Sequence, residues 1–262
     1  MAGHGTHAHP SPGVSIDYFA AGDGRPLVLV HGITESRRTW DPLVAPLLAA
    51  GYRVIAVDLR GHGGSSRSAP YDLASMAGDL EAVLDAEGAH DALLVGHSLG
   101  GAVVSAYAAG GSCRGVINVD QPLALADFQE VVRGLQPMLE GGPESFQAAI
   151  AAVFEQMVGP LDAAERWRVE HIRSAEPEVV LGVWTMMFTA TATELDAVVD
   201  SLTAAITVPY LSLHGIDPGA DYAAWLTGKI PTASVEVWAD GGHYPHLVEQ
   251  QRFVERVVEF DG

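Results

Sequence analysis

The sequence predicts an α/β protein: a mostly parallel central sheet with helices on both faces and a helical cap inserted in it. Two observations carry the prediction. Short apolar runs bounded by Gly, Pro and polar residues alternate with segments of helical spacing, a pattern that demands parallel strands covered on both sides. Between residues 122 and 206 the alternation stops, and helical segments follow one another with no convincing strand.

Residues 14–19 read as an edge strand and 25–30 (RPLVLV) as a fully buried one that ends at His31-Gly32. A helix over 39–50 and a strand over 52–57 follow, opening into the polar, Gly-rich stretch 58–65 (DLRGHGGS). Met76, Leu80, Val83 and Leu84 share one face of a helix over 76–87. The apolar run 92–95 is the next strand, 102–108 a helix and 115–119 another strand. Helices are expected over 127–139, 144–158, 162–174, 178–189 and 194–205, then strands over 207–214 and 233–238 and a closing helix over 250–260. The expected organisation is a core of residues 14–121 and 207–262 with a cap of residues 122–206, preceded by a disordered lead-in over 1–13.

Composition narrows the function. A chain of 262 residues, 48% of them apolar, buries a sizeable core, and no apolar stretch approaches the roughly 20 residues of a membrane helix. The net charge is −19, and the cationic residues, arginines apart from Lys229, are scattered, which argues against nucleic acid and anionic membranes as partners. The single cysteine, Cys113, excludes an internal disulfide, reads as a packed residue and fits a reducing compartment, so the cytoplasm is the expected location. His4, His7 and His9 near the start lack supporting ligands and read as a solvated tail rather than a metal site. With no dinucleotide fingerprint, phosphate loop or Cys/His metal spacing, no cofactor is expected.

The chemistry centres on Gly96-His97-Ser98-Leu99-Gly100, which lies between a predicted strand and a predicted helix. That is the strand-turn-helix setting in which G-x-S-x-G becomes a nucleophile elbow, its serine strained and raised above the sheet edge. A serine hydroxyl is a weak nucleophile and needs a base, itself oriented by a carboxylate. His243, in the Gly-rich loop between the last predicted strand and the closing helix, is the expected base.

Leu29-Val30-His31-Gly32, the 58–65 stretch, Gly96 to Gly101 and Gly242-His243, in this order, resemble the α/β-hydrolase superfamily over nearly the whole chain. The resemblance implies an oxyanion hole made by the backbone N–H groups of Ile33 and Leu99. It also implies that the acid is Asp217, after the penultimate strand, although only Ile216 separates it from Gly215 where two residues are commoner. Asp120, ending the strand after the nucleophile strand, is the rival position that some members use, and Asp221 is a further substitute. His31 and His62 read as structural, and His97 as packed or next to the substrate rather than as a base.

Trp184, Met187 and Phe188, with Met186, Phe154 and Met157, form apolar clusters in the predicted cap, and the first three are the expected substrate contacts. The expected activity is serine-dependent hydrolysis of a small to medium, apolar carboxylic ester or lactone through an acyl-enzyme. An aspartate at the elbow would have implied dehalogenase or epoxide hydrolase chemistry, which Ser98 disfavours. Carbon–carbon bond hydrolysis, perhydrolysis, hydroxynitrile lysis and ligand reception remain open on the same scaffold.

Overall fold

The computed structural model describes residues 4–262. In chain order the elements are β1 (His4–Ser11), β2 (Val14–Ala21), β3 (Arg25–Val30), α1 (Asp41–Ala49), β4 (Tyr52–Val57), α2 (Leu73–Glu87), β5 (Leu93–His97), α3 (Leu99–Ala108) and β6 (Gly115–Val119). Six helices follow without a strand: α4 (Ala126–Leu139), α5 (Pro143–Met157), α6 (Ala163–Ile172), α7 (Pro177–Val183), α8 (Thr185–Thr189) and α9 (Ala192–Ala205). The chain then returns through β7 (Tyr210–His214), α10 (Tyr222–Lys229), β8 (Ala233–Val237), α11 (Pro245–Val248) and α12 (Gln250–Asp261).

One eight-stranded sheet runs in the order β1-β2-β4-β3-β5-β6-β7-β8. The pairs β1·β2 and β2·β4 are antiparallel, and every other pair is parallel. Alternate residues of β3 show why both faces are covered. Leu27 and Leu29 pack with Trp40, Leu43 and Leu47 of the α1 side and Phe253 and Val257 of α12. Val28 and Val30 pack instead with Val83 and Leu84 of α2 and Val103 and Val104 of α3. Each such side chain contributes about 1.5–3 kcal/mol by leaving water. Because β4 lies on one side of β3 and β5 on the other, the loops after β3 and β5 diverge at a topological switch point, where open α/β sheets form their crevice.

The structure corrects three expectations. Residues 4–11 are not a disordered lead-in but strand β1, turned back onto β2 at Gly13 (φ 81°). Pairing covers what would otherwise be the open edge of β2, and Ala8 is buried against the core. The predicted helix 178–189 divides into α7 and α8 at Trp184. Helix α10, which no sequence pattern announced, carries only Tyr222 and Leu226 into the core, one turn apart. Among the described residues no helix is long and apolar enough to cross a membrane.

Candidate active site

Strand β5 delivers Ser98 to the switch point, with φ 50° and ψ −122°, and α3 begins immediately after it. Ser98 donates its N–H to the Val119 carbonyl at 2.9 Å, so the elbow is pinned to the end of β6. The turn leaves no room for side chains at the flanking glycines. A Cβ on Gly96 would lie 2.1 Å from the Gly100 carbonyl oxygen, and one on Gly100 would lie 2.2 Å from that of Val30. Both obstacles are backbone. Gly96→Ala is therefore expected to lower stability by at least about 1–3 kcal/mol, seen as a fall in the urea midpoint at unchanged slope.

Four described residues other than glycine have positive φ, and three of them, Thr34 (65°), Ser98 (50°) and Asp120 (53°), follow the adjacent strands β3, β5 and β6. For a β-branched residue such as Thr34 this region costs on the order of 1–3 kcal/mol. Strain concentrated at one sheet edge is what a preorganised site leaves in a backbone.

His243, 9% exposed, meets Asp120 rather than Asp217: its Nδ1 lies 2.6 Å from Asp120 Oδ2. The other carboxylate oxygen, Oδ1, accepts the N–H groups of Gly215 at 2.8 Å and Ile216 at 3.1 Å. With Nδ1–H donated to Asp120, Nε2 of the neutral ring is the free acceptor. Burial would raise the Asp120 carboxyl, but the hydrogen bond and charge of His243 and the two backbone donors hold it below its ordinary range. Burial pushes the His243 imidazole below its usual value, with Asp120 opposing that shift.

Asp217 is exposed, and its carboxylate accepts only the Gly219 N–H at 2.8 Å, a local turn. Asp221 is also exposed and precedes α10 without capping it. The physical reason for the correction is the register of the sheet. His97 pairs with Val119 and Val119 with Leu213, so the residue after β6 stands between Ser98 and the loop after β7. Asp120 occupies that place and holds the loop in which Asp217 lies.

A second buried network joins three loops of the site. His97 donates Nε2–H to the His243 carbonyl at 2.7 Å, and its Nδ1 lies 3.4 Å from Glu35 Oε2. Glu35 also accepts the Gly32 N–H at 3.2 Å and the Tyr244 hydroxyl at 2.9 Å. Burial works against both charges. The mutual attraction prevails, raising His97 and holding Glu35 well below the carboxylate range. His97 is thus packed between the elbow and the His243 loop and is no base. Sequence reasoning missed Glu35, whose place four residues after His31 was its only signal.

His31 and His62 are structural, as expected. Each ring has Nδ1 on a backbone carbonyl, of Gly32 at 2.7 Å and Arg60 at 3.0 Å. Each Nε2 accepts a backbone N–H, of Leu59 at 3.0 Å and Thr34 at 3.2 Å. The 58–65 stretch is a rigid support, with Arg60 on Asp79 at 2.5 and 2.6 Å. Burial pushes the Cys113 thiol up to about 11, away from the reactive thiolate at neutral pH.

The N–H groups of Ile33 and Leu99 meet no protein acceptor among the described residues. The Ile33 side chain packs against a hydrophobic cluster of helices α4, α5, α7, α8 and α9, the cluster that contains Trp184 and Met187 and against which Phe188 rests. Trp184 and Met187 are thus buried within this cluster, and Phe188 is half-buried against it. A cavity of about 200 Å³ beside the site is lined by other residues, among them Thr34, Ile150, Phe154 and Arg173.

Residues 27–256 match the sequence profile of the alpha/beta hydrolase family. The chain belongs to this family. Among its relatives, the chain is 30% identical to a protein of Synechocystis provisionally named a non-heme chloroperoxidase, over 88% of each chain. It is 39% identical to epoxide hydrolase B of Mycobacterium tuberculosis, but that match takes in 37% of this chain and only 29% of the relative's length. Among solved structures, an esterase from Rhodococcus superposes with a TM-score of 0.72 at 28% identity, over 98% of both chains. The chain thus has relatives named for different chemistries, and their common ground is the fold.

Proposed function

We propose that the protein is a serine hydrolase of carboxylic esters or lactones with an apolar body, acting through an acyl-enzyme. The observation that carries the reading is the His243 Nδ1 to Asp120 Oδ2 hydrogen bond of 2.6 Å, made by the residue next to Val119, whose carbonyl holds the N–H of the strained Ser98. Asp120 fixes the tautomer, so Nε2 of His243 takes the Ser98 proton as Oγ attacks the acyl carbon. The N–H groups of Ile33 and Leu99 stabilise the oxyanion, each worth about 3–4 kcal/mol in such sites. His243 then protonates the leaving alcohol, and water, activated by the same ring, releases the acid.

The helices between β6 and β7 act as the cap, and two contacts support that role. Ile33 packs on their hydrophobic core, and the Ser174 N–H donates to the Thr34 carbonyl at 2.8 Å. Epoxide opening by an elbow carboxylate is disfavoured by Ser98, whatever the name of the Mycobacterium relative. The likeness to the Synechocystis protein favours one second reading, perhydrolysis, in which hydrogen peroxide replaces water on the acyl-enzyme and leaves as a peracid.

The test is hydrolysis of p-nitrophenyl esters from acetate to decanoate, with substrate in large excess, by the wild type and by Ser98→Ala. Sustained turnover that falls by at least about 10⁴-fold in the variant is expected. Because burial lowers His243, kcat/KM should be flat through neutral pH and decline only below its ordinary value of about 6.5. Turnover untouched by Ser98→Ala sinks the reading, and a stoichiometric burst without turnover points to a ligand receptor. Peracid formed on adding peroxide would favour the second reading.

A further inference from the structure

Thr34 directly follows Ile33, and the peptide that joins them holds Ile33 from the downstream side; the Ile33 N–H itself lies in the Gly32–Ile33 peptide, whose carbonyl accepts His31 Nδ1–H at 2.7 Å and the Glu35 N–H at 3.3 Å. At φ 65° a β-branched residue does not rest there unaided and must be held by its neighbours. Three hydrogen bonds hold it. Its N–H donates to His62 Nε2 at 3.2 Å, which ties it to the rigid 58–65 stretch. The other two come from the chain just after α6: Arg173 Nε–H donates to Thr34 Oγ1 at 3.1 Å, and Ser174 N–H donates to the Thr34 carbonyl at 2.8 Å.

Arg173 is well placed for such a task. Its guanidinium stacks 4.2 Å from the centre of the Phe154 ring on α5, which fixes its plane. It forms no ion pair within 4.0 Å among the described residues, whereas Glu170, on the same cavity, is taken up by Arg166 at 3.0 Å. Glu35, the carboxylate whose charge Arg173 also feels, is already engaged by His97, Tyr244 and Gly32. The side chain is thus directed at Thr34 by stacking on Phe154 and by its approach to the Tyr244 hydroxyl rather than by an ion pair.

We propose that Arg173 and Ser174 form a latch through which the helical insertion sets the oxyanion loop, so that the site is complete only when the insertion is docked. Arg173 is a positioning residue acting through Thr34. The inference rests on the serine hydrolase reading for its kinetic consequence, though not for the contact itself. Substrate that displaces or loosens the α6 end releases Thr34 from its strained conformation, and Ile33, no longer held from the downstream side, shifts and carries its N–H out of line with the oxyanion. Insertion docking and transition-state stabilisation are therefore one event, a physical means of confining catalysis to the closed form.

The experiment compares Arg173→Met, Arg173→Lys, Thr34→Val and the Met/Val double variant in two readouts. Met keeps the stem over Phe154, and Val keeps the shape of Thr34 without its acceptor. On the ester the wild type cleaves best, Arg173→Met and Thr34→Val should each lower kcat about 10–100-fold, with KM within about twofold. The double variant should be no worse than either single one, and Arg173→Lys should recover most of the loss. Backbone amide exchange over residues 31–36 should quicken at least about tenfold in Arg173→Met, with β5 and β6 unchanged. Unchanged kcat overturns the latch, as does a rise in KM at constant kcat, which would make Arg173 a direct substrate contact. If the wild type cleaves no ester, the hydrolase reading falls by itself, and the exchange readout still decides: equal exchange in wild type and Arg173→Met overturns the latch.

Discussion

Asp120→Asn is expected to lower kcat/KM roughly 10³–10⁴-fold, whereas Asp217→Asn should leave it within about twofold. The asymmetry follows from what each carboxylate touches. Asp120 Oδ2 receives His243 Nδ1, and Oδ1 receives two backbone N–H groups. In the Asp120→Asn variant the carbonyl oxygen of the new amide keeps the Gly215 and Ile216 donors, so the loop survives, and its nitrogen presents N–H to the ring. Nδ1 must then accept, the proton moves to Nε2, and the ring can no longer take the Ser98 proton. Removing the negative charge also removes what holds the His243 pKa up against burial, so the acid limb of the residual activity should shift to lower pH. Asp217 supports only the Gly219 N–H in an exposed turn. Steady-state kinetics of both variants from pH 4 to 9 decide the matter, and the opposite ranking would move the acid to the loop after β7.

Which parts of this site could be read from the chain depends on how local their physics is. The strands β3 to β6 and the elbow were legible because a run such as 25–30 or 92–95, bounded by turn residues, carries its own burial pattern. The turn at Ser98 and the loop that carries His243 were legible for a similar reason, one by two flanking glycines and the other by its place before the last long helix. The acid was not. Asp120, Asp217 and Asp221 all follow predicted strands, and only the register of β5, β6 and β7 decides which one faces His243. Strand β1 was hidden likewise, since its order comes from pairing with β2 rather than from its His- and Gly-rich composition. Spacing along a helix does not say whether an apolar face meets a pocket or a neighbouring helix; Trp184 and Met187 pack in a cluster of the insertion that Ile33 also touches.

Glu35→Leu is expected to cost roughly 3–5 kcal/mol near pH 6, the loss found when one member of a buried charge pair is removed and the other remains. Three donors lose their acceptor together: the Gly32 N–H, the Tyr244 hydroxyl and His97 Nδ1–H. Glu35→Gln keeps a carbonyl for one of them and should cost less. The pH dependence distinguishes a charge pair from mere packing. Glu35 is held well below its ordinary pKa, so its contribution is present above about 4.3 and disappears as pH falls through its folded value. His97 is raised, so its contribution is full below about 6.5 and is lost as pH rises through its folded value. The stability gap between wild type and Glu35→Gln should therefore be widest between about pH 4.3 and 6.5 and narrow on either side. Urea unfolding at pH 3.5, 5.5 and 9 measures it. A gap independent of pH would mean that Glu35 acts through shape and hydrogen bonds alone. A gap that follows this window would make the Glu35–His97 pair the electrostatic tie between the loop after β3, the elbow and the His243 loop.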